Sequence, residues 1–320
     1  MTTARDAQPL AVRNSALAVR GGSARRWRYR RALTGYLFLL PAMVLIGAFT
    51  LVPFAQGIIL SFQDWDGVGS DTPFVGFSNY QRALADGIFW ASMGTAAVFG
   101  LIGFIIGNGV SLGMALTVNR IQRGAIVYRT AFYLPGVFSV IVVGMLFSWL
   151  FQPTVGFVNR GLEGAGLGFL KHNWLADPVT ALPTVAAVYV WYHWGFGFLL
   201  FLAGLQGVPR ELHEAAAIDG ANALQRFRHI TWPQLLPVTS IVGVLTLLGA
   251  LQIFGTVQVL TNGGPGYHTE VPALHIYKEA FQSHRFGSAA AMSVLFGAIL
   301  VALSLLQIWI ARRFTNVEGD

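Results

Sequence analysis

Residues 209–237 read PRELHEAAAIDGANALQRFRHITWPQLLP, a charged stretch set between two long apolar runs. Its local signals describe two short helices joined by a turn. Pro209 suits a first helical turn, where its missing N–H costs nothing, and Glu211 and Glu214 lie near the positive end of the helix dipole. Asp219 and Gly220 close that helix, because glycine enters the left-handed conformation without penalty. Ala221 to Ile230 then starts a second helix in a new direction, ahead of Pro233 and Pro237. Leu212, Ala215 and Ala216 recur at i, i+3 and i+4, so the first helix offers a narrow face of small side chains with Glu214 beside it. By spacing, such a segment is either a docking element for another protein or an amphipathic loop lying on a membrane.

The flanking runs place the stretch in a membrane protein. The chain has 320 residues, 54% hydrophobic and 11% charged, with mean hydropathy +0.58, too little polar surface for a water-soluble globule of this size. A hydrocarbon core of roughly 30 Å needs about 20 apolar residues as helix. Candidate runs occur near 34–62, 92–118, 125–151, 181–204, 235–261 and 288–311, and their central portions lack Asp, Glu, Lys and Arg. The expected fold class is therefore all-α and polytopic, with six transmembrane helices that satisfy their backbone polar groups internally.

Charge sets the expected orientation and excludes nucleic acid as a partner. The net charge of +7 resides in residues 1–33, which hold eight Arg and one Asp, while the acidic and basic side chains of the remainder cancel. That tail reads as a cytoplasmic topology signal that also meets membrane lipids. A signal peptide is the rival reading, but the apolar run after Arg31 is far too long and lacks a small-residue cleavage site. With the tail inside, 16 of the 21 Lys and Arg fall on the inner side, and an even number of spans returns the C-terminus to the cytoplasm. The expected division is a basic cytoplasmic tail at 1–33, a membrane domain at 34–315 and a short tail at 316–320. The chain contains no cysteine, which removes disulfides, thiol catalysis and cysteine metal sites.

Glu214, Ala215, Ala216, Asp219, Gly220, Ala221, Ile230 and the Pro233/Pro237 pair resemble the "EAA" loop of membrane permease subunits in binding-protein-dependent ABC importers. The likeness extends over about residues 34–315 and departs from the pattern at Ala217, which lengthens the alanine run, and at Trp232, where an aliphatic residue is usual. Outside the loop, SFQDW (61–65), FVGFSNYQRAL (74–84) and LTNGGPG (260–266) resemble the carbohydrate-uptake group. The resemblance implies a second permease subunit, two ATPase subunits, an extracytoplasmic solute-binding protein and a bacterial inner-membrane location. It implies that the loop sits in an ATPase cleft, with Glu214 as polar anchor, the alanines giving the fit, Gly220 the bend and Asp219 a cap or acceptor. It also implies that outer segments, Asn262, Gly263, Gly264 and Pro265 among them, meet the binding protein. Independently of ancestry, those four residues form a turn-rich cluster.

Neither of the two lysines, Lys171 in GFLKHNW and Lys278 in YKEAF, follows a glycine-rich phosphate cradle, so no P-loop is expected. The chain is then no enzyme and binds no cofactor or metal of its own, ATP and Mg belonging to the partner ATPase. Ion-coupled transport without an ATPase is the alternative class, and it would need ionisable groups at membrane depth. His193 is the candidate, and packing or a polar cavity explains it as well. An intramembrane serine hydrolase built on Ser139, Ser148 or Ser293 lacks a recognised nucleophile motif. A sugar site combines amides or hydroxyls with aromatic rings. Asn108, Trp191, Tyr192, Trp194, Gln252, Phe254 and Thr256 are candidates for the pathway, against interhelical hydrogen bonding as the other explanation. A polyol or a glycerol phosphate ester is the alternative cargo. Gly103 and Gly107, and Gly109 and Gly113, are spaced for close helix packing.

Overall fold

The computed structural model describes residues 36–69, 71–121 and 123–315, with side chains described as far as Trp309; the tails assigned to 1–33 and 316–320 lie outside the described residues. Two compact units divide the chain after Ile59, and the packing among the helices that follow belongs to the second. Helix α1 covers Tyr36–Leu60. A short helix α2, Ser78–Ala85, precedes the long α3, Gly87–Asn119. Helices α4, Ala125–Val137, and α5, Val140–Leu150, form a bent pair, and α6, Phe157–Gly164, lies in the segment that follows. Then come α7, Ala181–Gln206, the loop helix α8, Arg210–Ile218, and α9, Ala223–Leu251. The short α10, Gly255–Leu260, leads to α11, Pro272–Phe281, and to α12, Phe286–Thr315. Among the described residues five helices are long and apolar enough to cross a bilayer, six if the bent pair counts as one span. Among the described residues the β structure is one isolated bridge, Gln63 to Phe74.

Helix α7 organises the core. Its Phe198, Phe201, Leu202 and Leu205 pack with Ala115 and Val118 of α3 and Leu235 of α9, while its Val185 and Tyr189 pack with Phe99, Ala250 and Val257. Lipid tails are as apolar as these side chains, so close fit and interhelical hydrogen bonds hold the helices together rather than transfer from water. Gly103 and Gly107 are buried where α3 meets α7 and α9, and a Cβ at Gly103 would stand 3.1 Å from Thr246 and 3.2 Å from Tyr189. Nothing lies within 4 Å of a Cβ built at Gly109 or Gly113. The first glycine pair is a packing site within this chain, and the second is not.

Three expected boundaries are corrected. The run at 125–151 is one apolar stretch, yet it turns through 92° between α4 and α5. Pro135 and Gly136 force a 3-10 turn at Leu134–Val137, Phe138 and Ser139 are extended, and the Tyr192 hydroxyl donates to the Phe138 carbonyl at 2.9 Å. The run at 235–261 ends instead at Leu251, with Gln252 to Phe254 non-helical before α10. Finally, the helix after Gly220 does not stop before Pro233. It is the first part of α9 and continues through both prolines. A π turn at Phe227–Thr231 precedes Pro233 by two residues, as the π turn at Gly47–Leu51 precedes Pro53 in α1. The widened turn accommodates a ring that has no N–H to give and that crowds the preceding carbonyl.

Candidate functional site

The loop between α7 and α9 is built from its own caps. Pro209 stands at the N-cap of α8, with Glu211 in the first turn, and Asp219 is the C-cap. Gly220 adopts φ +78°, Ala221 N–H donates to the Ala216 carbonyl at 2.9 Å and Gly220 N–H to Ala217 at 3.2 Å. This is the double closure of a left-handed helix end, and it consumes the alanine carbonyls. The cap of the next helix is Asn222. Its side chain accepts from Gln225 N–H at 2.9 Å, and the Gln225 side chain accepts from Asn222 N–H at 2.8 Å. The N-x-x-Q spacing was the signal available for it. Asn222→Ala is expected to cost the first turn of α9 about 1 kcal/mol, seen as faster amide hydrogen exchange over residues 223–226 with the transmembrane part of α9 unaffected.

Within this loop Glu211, Glu214, Ala215 and Asp219 are exposed, Ala216 and Ala221 are partly covered, and His213 faces back into the bundle. Ile218 is 87% and Leu224 73% exposed. Large apolar side chains standing in water on a charged loop mark a surface that another protein covers. Pro233 and Pro237 lie inside α9, about three and four turns beyond its start at Ala223.

At the other end of the helices, residues 60–69, α2, α11 and the 261–270 loop form a hydrogen-bonded cap. Asn79, fully buried, donates to the carbonyls of Ser61 (3.0 Å) and Gln63 (2.8 Å), which explains the asparagine in FVGFSNY. Trp65 donates to Gly69 O at 2.8 Å, Trp90 to Leu84 O at 3.0 Å and Trp174 to Asn159 Oδ1 at 2.8 Å. In the turn cluster Asn262, Gly263, Gly266 and Tyr267 have positive φ, and the Gly264–Pro265 bond is cis. Lys278 Nζ holds this turn through Asn262 O at 2.8 Å and Glu270 Oε2 at 2.7 Å, and the Thr269 hydroxyl donates to Gly264 O at 2.7 Å. Asn262 is exposed, Gly264 and Pro265 are half-buried and Gly263 is buried, so the outermost tip is Gly266 to His268.

Glu270, 1% exposed, continues the network inward. Its Oε1 lies 3.6 Å from His275 Nδ1, and His275 Nε2 lies 3.2 Å from Asp86 Oδ2, while Asp86 also caps α3 by accepting from Ile88 and Phe89 N–H. Burial works against a charged His275, but the Glu270 and Asp86 carboxylates outweigh it and raise its pKa. Burial works against the Asp86 carboxylate too, yet the Phe89 N–H, His275 and the Ile88 N–H leave its pKa lowered. A raised histidine contributes stability below the unfolded value of about 6.5 that disappears as pH rises through the folded value. The lowered Asp86 acts oppositely, its contribution disappearing as pH falls through its folded value. His275→Gln is therefore expected to lower the melting temperature at pH 6 and much less at pH 9, measured on the purified chain in detergent. Equal losses at both pH values would refute the charged pair. Sequence reading did not single out Asp86, Glu270 or His275, because Asp86 and His275 are separated by 189 positions.

Between α3, α7 and α9 lies a cavity of about 270 Å³. Asn108, Ser111, Tyr189, His193, Trp194 and Thr246 supply its polar and aromatic lining. The Thr246 hydroxyl lies 3.0 Å from Asn108 Oδ1, and the Ser111 hydroxyl lies 2.8 Å from the Trp194 carbonyl, tying α3 to its neighbours. His193 Nδ1 is 2.9 Å from the Tyr189 carbonyl, a local bond. Trp194 Nε1 is buried without a partner. Of the candidate pathway residues, this cavity gathers Asn108 and Trp194. Trp191 packs on Phe147, Tyr192 bonds the α4–α5 break, Phe254 packs on Tyr277 and Thr256 is buried in α10, while Gln252 lies at the break after α9. Tyr189, Ser111 and Thr246 were missed because each reads as ordinary helix content.

These features define a polytopic helical membrane protein with a structured, exposed loop. The family model described as "Binding-protein-dependent transport system inner membrane component" matches residues 107–316. A Bacillus subtilis (strain 168) protein named as a probable ABC transporter permease, YurN, is 34% identical over 274 residues, 85% of this chain and 94% of that protein. The diacetylchitobiose uptake system permease protein NgcF of Streptomyces coelicolor is 32% identical, covering 95% of this chain and 90% of its own. A chain of a bacterial ABC transporter involved in import of the acidic polysaccharide alginate shares the fold, with TM-score 0.80, 23% identity and coverage of 90% of this chain and 99% of that one. The chain belongs to the inner-membrane permease family of binding-protein-dependent ABC transporters, as the EAA-like loop implied.

Proposed function

We propose that the chain is the transmembrane subunit of an ATP-driven importer of a sugar or oligosaccharide, working with a second permease, two copies of a separate ATPase and an extracytoplasmic binding protein. One observation carries this reading: α9 runs without interruption from the Gly220 turn to the cavity. Thr246 lies 23 residues beyond Ala223, about 35 Å at 1.5 Å per residue. A push on α8 therefore moves the partner of Asn108. Glu214, with Ala215, Ala216 and Glu211, serves as the contact that the ATPase grips, and Gly220 and Ala221 hold the angle between α8 and α9.

ATP and Mg are bound by the ATPase, since neither lysine of this chain follows a phosphate-binding cradle. The loop and both termini face the cytoplasm, in keeping with the excess of Lys and Arg on that side. The free Trp194 N–H, the Asn108 amide and the Tyr189 ring suit a molecule with hydroxyls at its edge and an apolar C–H face. The cargoes in the names of NgcF and the alginate transporter agree with that chemistry. Gly266 to His268 form the outer contact for the binding protein, held in place by the buried turn at Asn262 to Pro265.

The test is co-reconstitution of the whole complex in vesicles with labelled oligosaccharide. Uptake is expected to require ATP, the ATPase and the binding protein together. Uptake by vesicles containing this chain without an ATPase would return the assignment to ion-coupled transport.

A further inference from the structure

Two cavities, about 330 and 760 Å³, adjoin at the loop end of the bundle, where α3 and α7 terminate, and share Asn119, Leu205, Val208 and His213. Their charged lining is of one sign: Arg120 and Arg226 in one, Arg129 and Arg210 in the other, with no Asp or Glu. None of these four guanidinium groups forms an ion pair among the described residues. Arg129 Nε is in addition buried without a hydrogen-bond partner. Like charges facing a shared space repel, and a buried guanidinium nitrogen with no acceptor carries a desolvation cost that an anion would remove. Val118, Ile121, Leu205 and Val208 supply the apolar part of the larger cavity's lining, and Val118 and Leu205 are buried.

We propose that these joined cavities bind a phosphate group, presented by the headgroup of an anionic phospholipid. Arginine favours phosphate through paired donors, and the Asn119 and Gln206 amides border the same space. The placement argues for lipid as the source, because the cavities lie at the ends of two membrane helices, where headgroups meet a bilayer protein, and their lining combines arginines with apolar side chains. His213 of α8 borders both cavities, so an occupied site buttresses the docking helix from behind. This last consequence rests on the proposed function, whereas the binding itself does not.

The test uses the full-length chain purified in mild detergent, with retained phosphatidylglycerol and phosphatidylcholine measured by native mass spectrometry. Wild type is expected to retain phosphatidylglycerol preferentially. The preference should fall about fivefold in Arg210→Gln and about twentyfold in Arg129→Gln/Arg210→Gln, from a contribution of roughly one surface charge each. Arg210→Gln alters only an exposed loop position and keeps the test valid should the double variant fold poorly. Arg160→Gln, on α6, should retain the wild-type preference. Inorganic phosphate and glycerol phosphate form the second arm, and displacement of phosphatidylglycerol by millimolar glycerol phosphate would support the phosphate site. Saturable binding of glycerol phosphate with no preference among lipids would assign the site to a soluble ester and overturn the lipid source. No preference in wild type, no change in either loop variant, or an equal fall in Arg160→Gln overturns the proposal. Lipid retention is read on the chain alone, without the ATPase, so failure of the coupling reading and failure of this one are separable.

Discussion

Glu214→Lys is expected to abolish most uptake by the assembled complex while the chain still inserts and the ATPase still turns over. Glu214 is exposed on the outward side of α8, next to the small side chains Ala215 and Ala216, and it makes no ion pair among the described residues. Its loss therefore leaves the isolated chain unaffected, and the whole effect falls on the contact. Reversing a charge that a partner covers costs about 2–5 kcal/mol, which makes coupling at least tenfold weaker. Gly220 gives a sharper version of the same result. Its φ of +78° excludes branched side chains, yet nothing lies within 4 Å of a Cβ built there. Gly220→Val is expected to fail through the backbone, at about 1–2 kcal/mol for the left-handed conformation, while Gly220→Asn should keep most uptake. Normal ATP-coupled uptake by Glu214→Lys and Gly220→Val in correctly assembled complexes would mean that the ATPase grips the chain elsewhere.

Gly263→Ala should be the most damaging single substitution at the outer end. Gly263 has φ +82°, and a Cβ there would overlap Glu270 Oε2 and stand 2.9 Å from Lys278 Nζ. The methyl group has no room unless the Lys278–Glu270 pair opens, and Glu270 is then a buried carboxylate without its strongest partner. Breaking a buried pair in this way costs about 3–5 kcal/mol. The same pair tethers Asn262 and, through His275, the N-cap of α3. The expected outcome is a clearly lowered melting temperature in fluorescence-detected size exclusion, together with loss of stimulation by the binding protein. At Gly264 the nearest atom to an added Cβ is Thr261 O at 3.2 Å, so Gly264→Ala should be milder. A wild-type melting temperature and transport rate for Gly263→Ala would show that the turn relaxes freely and that Glu270 is not its anchor.

Much of the docking loop was legible in its residues. Helix ends depend on residues within four or five positions of one another, so Pro209, Gly220 and the alanine run describe the closure of α8 before any packing is known. The pathway residues were less legible. Aromatic and amide side chains mark chemistry but not the side of a helix that faces a cavity, which is why Asn108 and Trp194 line the cavity between α3, α7 and α9 while Trp191 packs on Phe147 and Phe254 on Tyr277.

Composition and local order by themselves determined that this is a multi-pass helical membrane protein, where its apolar runs fall, and that a kinked polar helix pair interrupts them. Those properties follow from hydrophobic length and from backbone conformations accessible to single residues. Only the tertiary structure decided that the apolar run at 125–151 turns through 92°, that α9 extends from the loop to Thr246, and that Asp86, His275 and Lys278 form one network around the buried Glu270. Direction, continuity and charge pairing depend on which atoms meet across helices. The Asn108–Thr246 contact joins residues 138 positions apart, a separation over which sequence proximity carries no geometry.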